Sequence, residues 1–266
     1  MKDARKQNDG PQPLRFLFDA RVTGEVIVGG GASYLYTHVH ENQGAGKSHI
    51  NQEDLFVYSS WQPNEFYLDL ALWGGFFQTN QIRYIKMTGF KFHAQSSPHG
   101  YQLIPHLELG WEAYAKKAPT YEVTWNILGM LDWANAWQNS YKEKGNSPFN
   151  IQQKSQYGSL LRTEAGLRFS ETFFYSCWNL ILLEKASYVN IQSLSGAGKV
   201  PATLLGSPGS FTVETLTDSQ NLGAVQFGIT AAPYNVWYPA STLFYQGEFG
   251  SRYQSHQVTL ELAWNF

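Results

Sequence analysis

Three small groups of residues could carry chemistry. Residues 44–48 read GAGKS, the closing half of a phosphate-cradling loop. That loop needs a glycine at position 41, where Glu41 stands, and a strand before it and a helix after it. The segment falls instead in a polar connection between two strand-like runs, so nucleotide binding is not expected. His38 and His40 alternate along one strand with His49 nearby. Such spacing can point two imidazoles the same way, but no third or fourth ligand is placed, so no metal site is expected. Ser207 and Ser210 lie beside glycines in GSPGSF without the G-x-S-x-G frame of a nucleophile elbow. No acid and base are placed to orient either hydroxyl. The expectation is therefore a non-enzymatic protein with no catalytic, cofactor-binding or metal-binding residues.

A fourth group is larger and differently distributed. Asp69, Glu108, Glu112, Asp132, Arg162, Glu164, Arg168, Glu248 and Glu261 all fall on the polar phase of segments that alternate with period two. An arginine facing lipid at mid-depth costs about 2–4 kcal/mol, and a carboxylate less. These side chains are expected to point into a wet lumen, where they pair with one another, hold the shape of the wall and line a conduit.

The elements that must position them are strands. The clearest is the last. Val258, Leu260, Leu262, Trp264 and Phe266 share one face of VTLELAWNF, and Thr259, Glu261, Ala263 and Asn265 share the other. Similar alternation puts Leu107, Leu109 and Trp111 opposite Glu108 and Glu112, and Leu161, Ala165, Leu167 and Phe169 opposite Arg162, Glu164 and Arg168. Leu68, Leu70 and Leu72 stand opposite Asp69, and Val225, Phe227 and Ile229 opposite Gln226. WNLILLEKASYV also reads as a strand, with its phase blurred by the adjacent Glu184 and Lys185. Helical spacing of three and four is missing from these segments. Ten strands are clear.

Their connections alternate between long and short. ENQGAGKSHINQED, QTNQIRYIKMTGFKFHAQSSPHG, QNSYKEKGNSPFNIQQKSQ and SLSGAGKVPATLLGSPGSFTVETLTDSQ are long, and WQPNE, AKKAPT, SETFF and AAPYNVWYPAS are short. Outer-membrane barrels sort their loops in this way, with short periplasmic turns and longer outer loops. The parity puts the C-terminus on the periplasmic side. Within the second long connection, MTGFKFHA is expected to extend an outer hairpin or to begin the next strand. Trp61, Trp73, Trp133, Trp137, Trp237 and Trp264 lie near strand ends, as girdle residues do.

Composition agrees. Aromatics are 16% of the 266 residues and charged residues 15%, against about 25% charged in an ordinary soluble domain. The mean hydropathy of −0.34 argues against a bundle of membrane helices. It suits a barrel in which only alternate residues face lipid. The net charge of −2 gives no case for nucleic acid, and the single cysteine, Cys177, excludes an internal disulfide framework. Residues 1–23 open on a polar stretch that is not a signal peptide. They are expected to be a linker or the remnant of missing strands, with RFLFDAR supplying part of one. Residues 24–266 are expected to be the barrel.

These strands resemble the translocator domain of autotransporters, the type V secretion proteins. The resemblance rests on LLRTEAGLRFS, with Arg162, Gly166, Leu167 and Arg168, and on the final hairpin, with Gly247, Glu248, Gly250 and Phe266. FYLDLALWGG is similar to an early family strand, and SPGSFTVETL is similar to homologues in chlamydia-like bacteria. It covers about residues 24–266. It implies a twelve-stranded barrel in outer-membrane lipid, and a passenger attached upstream. Periplasmic chaperones and the β-barrel assembly machinery are the expected partners, with Val258, Leu260, Leu262, Trp264 and Phe266 as the assembly signal. The sequence therefore predicts an all-β, transmembrane, antiparallel up-and-down barrel of 10–12 strands that anchors and helps export a passenger. A diffusion pore or surface-loop adhesin, and a soluble β-sandwich, are the competing expectations.

Overall fold

The computed structural model describes residues 12–40, 45–87, 90–196, 199–205, 210–214, 219–235, 238–251 and 253–263. Period-two alternation becomes extended backbone along almost all of them. A first meander runs through β1 (Gln12–Arg21), β2 (Val26–His40), β3 (Gly46–Trp61) and β4 (Phe66–Met87). β5 (Phe90–Ser96) folds back on β4, and β6 (His99–Lys117) and β7 (Tyr121–Gln138) continue the meander. Three short strands follow, β8 (Tyr141–Lys142), β9 (Lys144–Gly145) and β10 (Ile151–Gln153). The long β11 (Gln156–Phe174) and β12 (Trp178–Ser195) come next, then the hairpin β13 (Lys199–Leu204) and β14 (Ser210–Glu214). β15 (Gln220–Pro233), β16 (Ala240–Gly250) and β17 (Gln254–Ala263) complete the described chain.

The main sheet is antiparallel and curled, in the order β1-β2-β3-β4-β6-β7-β11-β12-β15-β16-β17. Sequential neighbours pair throughout, as in an up-and-down barrel. Eleven described strands lie on this path, one more than the ten read from sequence. The addition is β1, which pairs with β2 from Gln12 to Arg21 and puts Phe16 and Phe18 on the outer face. An odd number of alternating strands makes β1 and β17 run the same way. Their described residues pair on one side only.

Register decides what faces inward. One row runs Asp69–Glu108–Met130–Glu164–Val189–Leu222 from β4 to β15. A second runs Glu112–Asn126–Arg168–Lys185–Gln226–Gln246–Gln257. The intervening outward row Trp111–Ile127–Leu167–Ala186–Val225 is apolar. Outward side chains stand bare: Leu55 and Leu260 are each 70% exposed and Val258 69%. The buried apolar cluster of Val189, Leu222 and Ala224 sits on the opposite, inner face. A broad bare apolar belt around a polar interior is stable only with lipid around it. That inverted polarity excludes the soluble sandwich.

Much of the expected long connections is strand. Gly46–Ser48 of GAGKS belong to β3, and Gly44 lies outside the described residues. MTGFKFHA resolves into the β4–β5 hairpin extension and does not begin the next strand. These segments read as loops because strands beyond a bilayer need no apolar face. Trp73 corrects the girdle assignment. It faces inward, with its ring 6.1 Å from Phe56 and edge-on to His106 at 5.6 Å. Trp61, Trp133 and Trp137 are exposed on the outside, whereas Trp237 and Trp264 lie outside the described residues. At the short β3–β4 turn, Asn64 takes the left-handed φ of 54°, which a compact polar side chain tolerates.

The long connections dock on one another. β5 pairs with β9, and Gly145 has φ +146° where a Cβ would lie 2.3 Å from the His93 carbonyl oxygen. β10 pairs with both β8 and β13, joining two connections in a second sheet, β14-β13-β10-β8. The lock is a bidentate ion pair. Arg83 of β4 donates Nε and Nη2 to Glu143 at 3.1 and 2.6 Å, and the Ile151 N–H donates to the same carboxylate at 2.8 Å. Glu143→Ala is expected to cost about 1–3 kcal/mol locally, since Glu143 is buried and Arg83 can turn to water. Limited proteolysis should then cut within 139–155 while the barrel itself stays resistant.

Candidate functional site

β11 carries two arginines six residues apart, and period-two geometry sends both into the lumen. They reach in opposite directions around the wall. Arg162 places Nη1 2.8 Å from Glu248 of β16 and Nη2 3.0 Å from Glu164 of its own strand. Its Nε lies 3.9 Å from Asp132 of β7. Arg168 donates Nη2 to Glu108 of β6 at 2.7 Å and Nη1 to the Tyr67 hydroxyl of β4 at 3.2 Å. That hydroxyl donates in turn to Glu108 at 2.7 Å. The Tyr67 ring lies flat against Gly110, where a Cβ would come within 1.9 Å of Cε1. Glycine at 110 is what lets the tyrosine fold down and meet Arg168.

The lattice continues along β12. Lys185 Nζ lies 2.6 Å from Glu164 Oε1, which also accepts from the Ser187 hydroxyl at 2.7 Å. These charged side chains are almost wholly covered, at 4% and 2% exposure. Such burial is tolerated because every partner is hydrogen-bonded. The pairs roof the inner apolar cluster of Val189, Leu222 and Ala224. On the other side of β11, His106 Nδ1 and Asp132 Oδ1 are 2.6 Å apart. Asp54 accepts from neutral donors, Gln102 and Gln52 at 2.8 Å and Ser33 at 3.3 Å.

Of the residues singled out in sequence, Glu108, Asp132, Arg162, Glu164, Arg168 and Glu248 join this lattice. Asp69 sits in the same inward row with Oδ1 buried and without a hydrogen-bond partner. Glu112 and Glu261 hold inward register positions apart from the pairs. Lys185, Tyr67, His106 and Asp54 belong with them but were not singled out. For Lys185 the signal is the alternation Lys185, Ser187, Val189, Ile191, masked by the adjacent Glu184, which faces outward between Phe169 and Phe227.

The smaller groups behave differently. His38 and His49 are cross-strand neighbours with rings stacked at 4.1 Å, and Tyr36 bonds His49 at 2.7 Å. Among the described residues no cluster of three or more His, Cys, Asp or Glu is arranged to hold a metal. Ser207 lies outside the described residues, and Ser210 begins β14. The arrangement as a whole is an ion-paired wall, in which Arg162, Arg168 and Lys185 are each matched to an acid and no hydroxyl or thiol among the described residues is bonded to His106.

The family model for the autotransporter beta-domain matches residues 14–238, most of the chain. The chain belongs to the autotransporter β-domain family. This autotransporter β-domain is an outer-membrane β-barrel translocator for a passenger. Its fold is similar to the translocator domain of the autotransporter NalP from Neisseria meningitidis, with a TM-score of 0.74 at 17% identity, over 96% of this chain and 81% of that one. It is also similar to the beta domain of the Bordetella autotransporter BrkA, with a TM-score of 0.57 at 15% identity, over 96% of this chain and 86% of that one. No curated protein matches the chain. At such low identity the shared feature is the fold.

Proposed function

We propose that this β-domain anchors an N-terminal passenger in the outer membrane and helps carry it outward through the charged lumen, without catalysis. The observation that carries the reading is the inverted polarity of the sheet, with bare leucine and valine outside and ion pairs inside. Asp69, Glu108, Glu112, Asp132, Arg162, Glu164, Arg168, Glu248 and Glu261 line the passage. The short turns face the periplasm, with the C-terminus there, and the docked long connections face outward. Periplasmic chaperones hand the chain to the β-barrel assembly machinery, which reads the apolar phase of β17 from Val258 through Leu260 and Leu262 to Trp264 and Phe266.

Ion pairs spanning neighbouring strands narrow such a lumen. Single-channel recording on the purified β-domain in planar bilayers is therefore expected to show a small, flickering conductance. A steady, wide-open conductance would favour a diffusion pore instead.

A further inference from the structure

Positive and negative charge on the inner face are used unequally. Arg15 of β1 shares an inward register row with Asp54 through Ser33, and from β4 onward the inward-facing cations between the strand ends among the described residues are already matched. Arg162 is held by Glu248 and Glu164, Arg168 by Glu108, and Lys185 by Glu164. Nearer the ends, Lys117 pairs with Glu122 and Arg83 with Glu143, and Arg21 stands beside the first turn. The acids are left over. Asp69 has a buried oxygen without a partner. Glu112 and Glu261 occupy inward positions outside the ion pairs.

The geometry points to a cation-attracting lumen, a passage whose uncompensated fixed charge is negative from Asp69 to Glu261. Low-dielectric walls focus such a field and raise the local concentration of counter-ions, and carboxylates lining a pore select cations. The ligand class is small hydrated cations, and the favoured polypeptide segments are neutral or basic ones. Acidic segments meet repulsion along the same wall. This inference rests on the barrel and its register and is independent of whether a passenger is exported.

Thiol labelling tests it. Met130 lies between Glu108 and Glu164 in the inward row, so Met130→Cys in a Cys177→Ser background places a probe beside the charge. The folded barrel, selected by heat-modifiable migration, is treated with cationic and with anionic methanethiosulfonate reagents. The ratio of their rates, divided by the ratio for a free thiol, is expected to favour the cationic reagent about tenfold. Asp69→Asn should lower that ratio, and Asp69→Asn/Glu112→Gln should lower it further. Both changes keep the side-chain shape, and neither carboxylate takes part in the ion pairs, so the barrel should still fold. A ratio favouring the anionic reagent overturns the inference. So does a ratio unmoved by both substitutions, or an introduced thiol that neither reagent reaches. Failure of a fused passenger to reach the surface would leave the ratio unchanged and would bear on the export reading alone.

Discussion

Replacing Arg162 with methionine is expected to destabilise the barrel by about 3–5 kcal/mol. The guanidinium is the ion partner of Glu248 and one of two for Glu164, and it approaches Asp132 as well. Methionine fills much of the volume and leaves Glu248 largely buried, at 11% side-chain exposure, with no cation beside it. Glu164 suffers less, because Lys185 and Ser187 still hold it. The diagnostic comparison is the double variant Arg162→Met/Glu248→Leu. An apolar pair of similar volume often replaces a buried ion pair at little cost, and the site adjoins Val189, Leu222 and Ala224. The double variant should therefore recover much of what the single loses. The urea concentration at which the heat-modifiable band disappears measures both. Equal losses for single and double variants would show that Arg162 acts through packing, not through its charge.

The second large effect is on assembly. Deleting Phe266 and changing Trp264 to glutamine is expected to abolish insertion in cells while leaving refolding into detergent micelles nearly normal. The ladder between β16 and β17 runs from Gln254 to Ala263, so the change removes none of its described pairs. Stability should hold, and recognition should fail. The apolar outer phase of β17, with Val258, Leu260 and Leu262 all bare, continues in sequence to those two aromatics. Normal insertion of the double variant would remove them from the assembly signal. Loss of refolding in detergent as well would make them structural.

How legible all this was in sequence varied with the surroundings of each segment. Where one face meets lipid and the other water, as in Leu161–Phe169, alternation stated the phase outright, and the inward register of Arg162, Glu164 and Arg168 followed. Where strands run on past the membrane, as in Gly46–Asn51 and Gln81–Met87, polar and apolar residues are not sorted between the two faces and the same backbone reads as loop. β1 is legible only in part, as a linker or the remnant of a strand to which RFLFDAR contributes, because only RFLFDA within it alternates clearly. Pairing lay further out of reach. Nothing in sequence says that Arg162 turns toward β16 and Arg168 toward β4, since this depends on curvature and on Gly110 letting Tyr67 lie flat. Trp73 looked like a girdle residue by type, yet its odd position in β4 shares the inward phase of Asp69 and Ala71.

Export by this β-domain acts on what is attached to its N-terminus. The direct measurement is to place a signal peptide and an unstructured epitope segment ahead of Met1 and to probe intact cells with antibody and protease. The epitope is expected to be labelled and cleaved at the cell surface while the barrel migrates in its heat-modifiable form. A barrel that reaches the outer membrane folded but leaves the epitope shielded inside the cell would contradict such export.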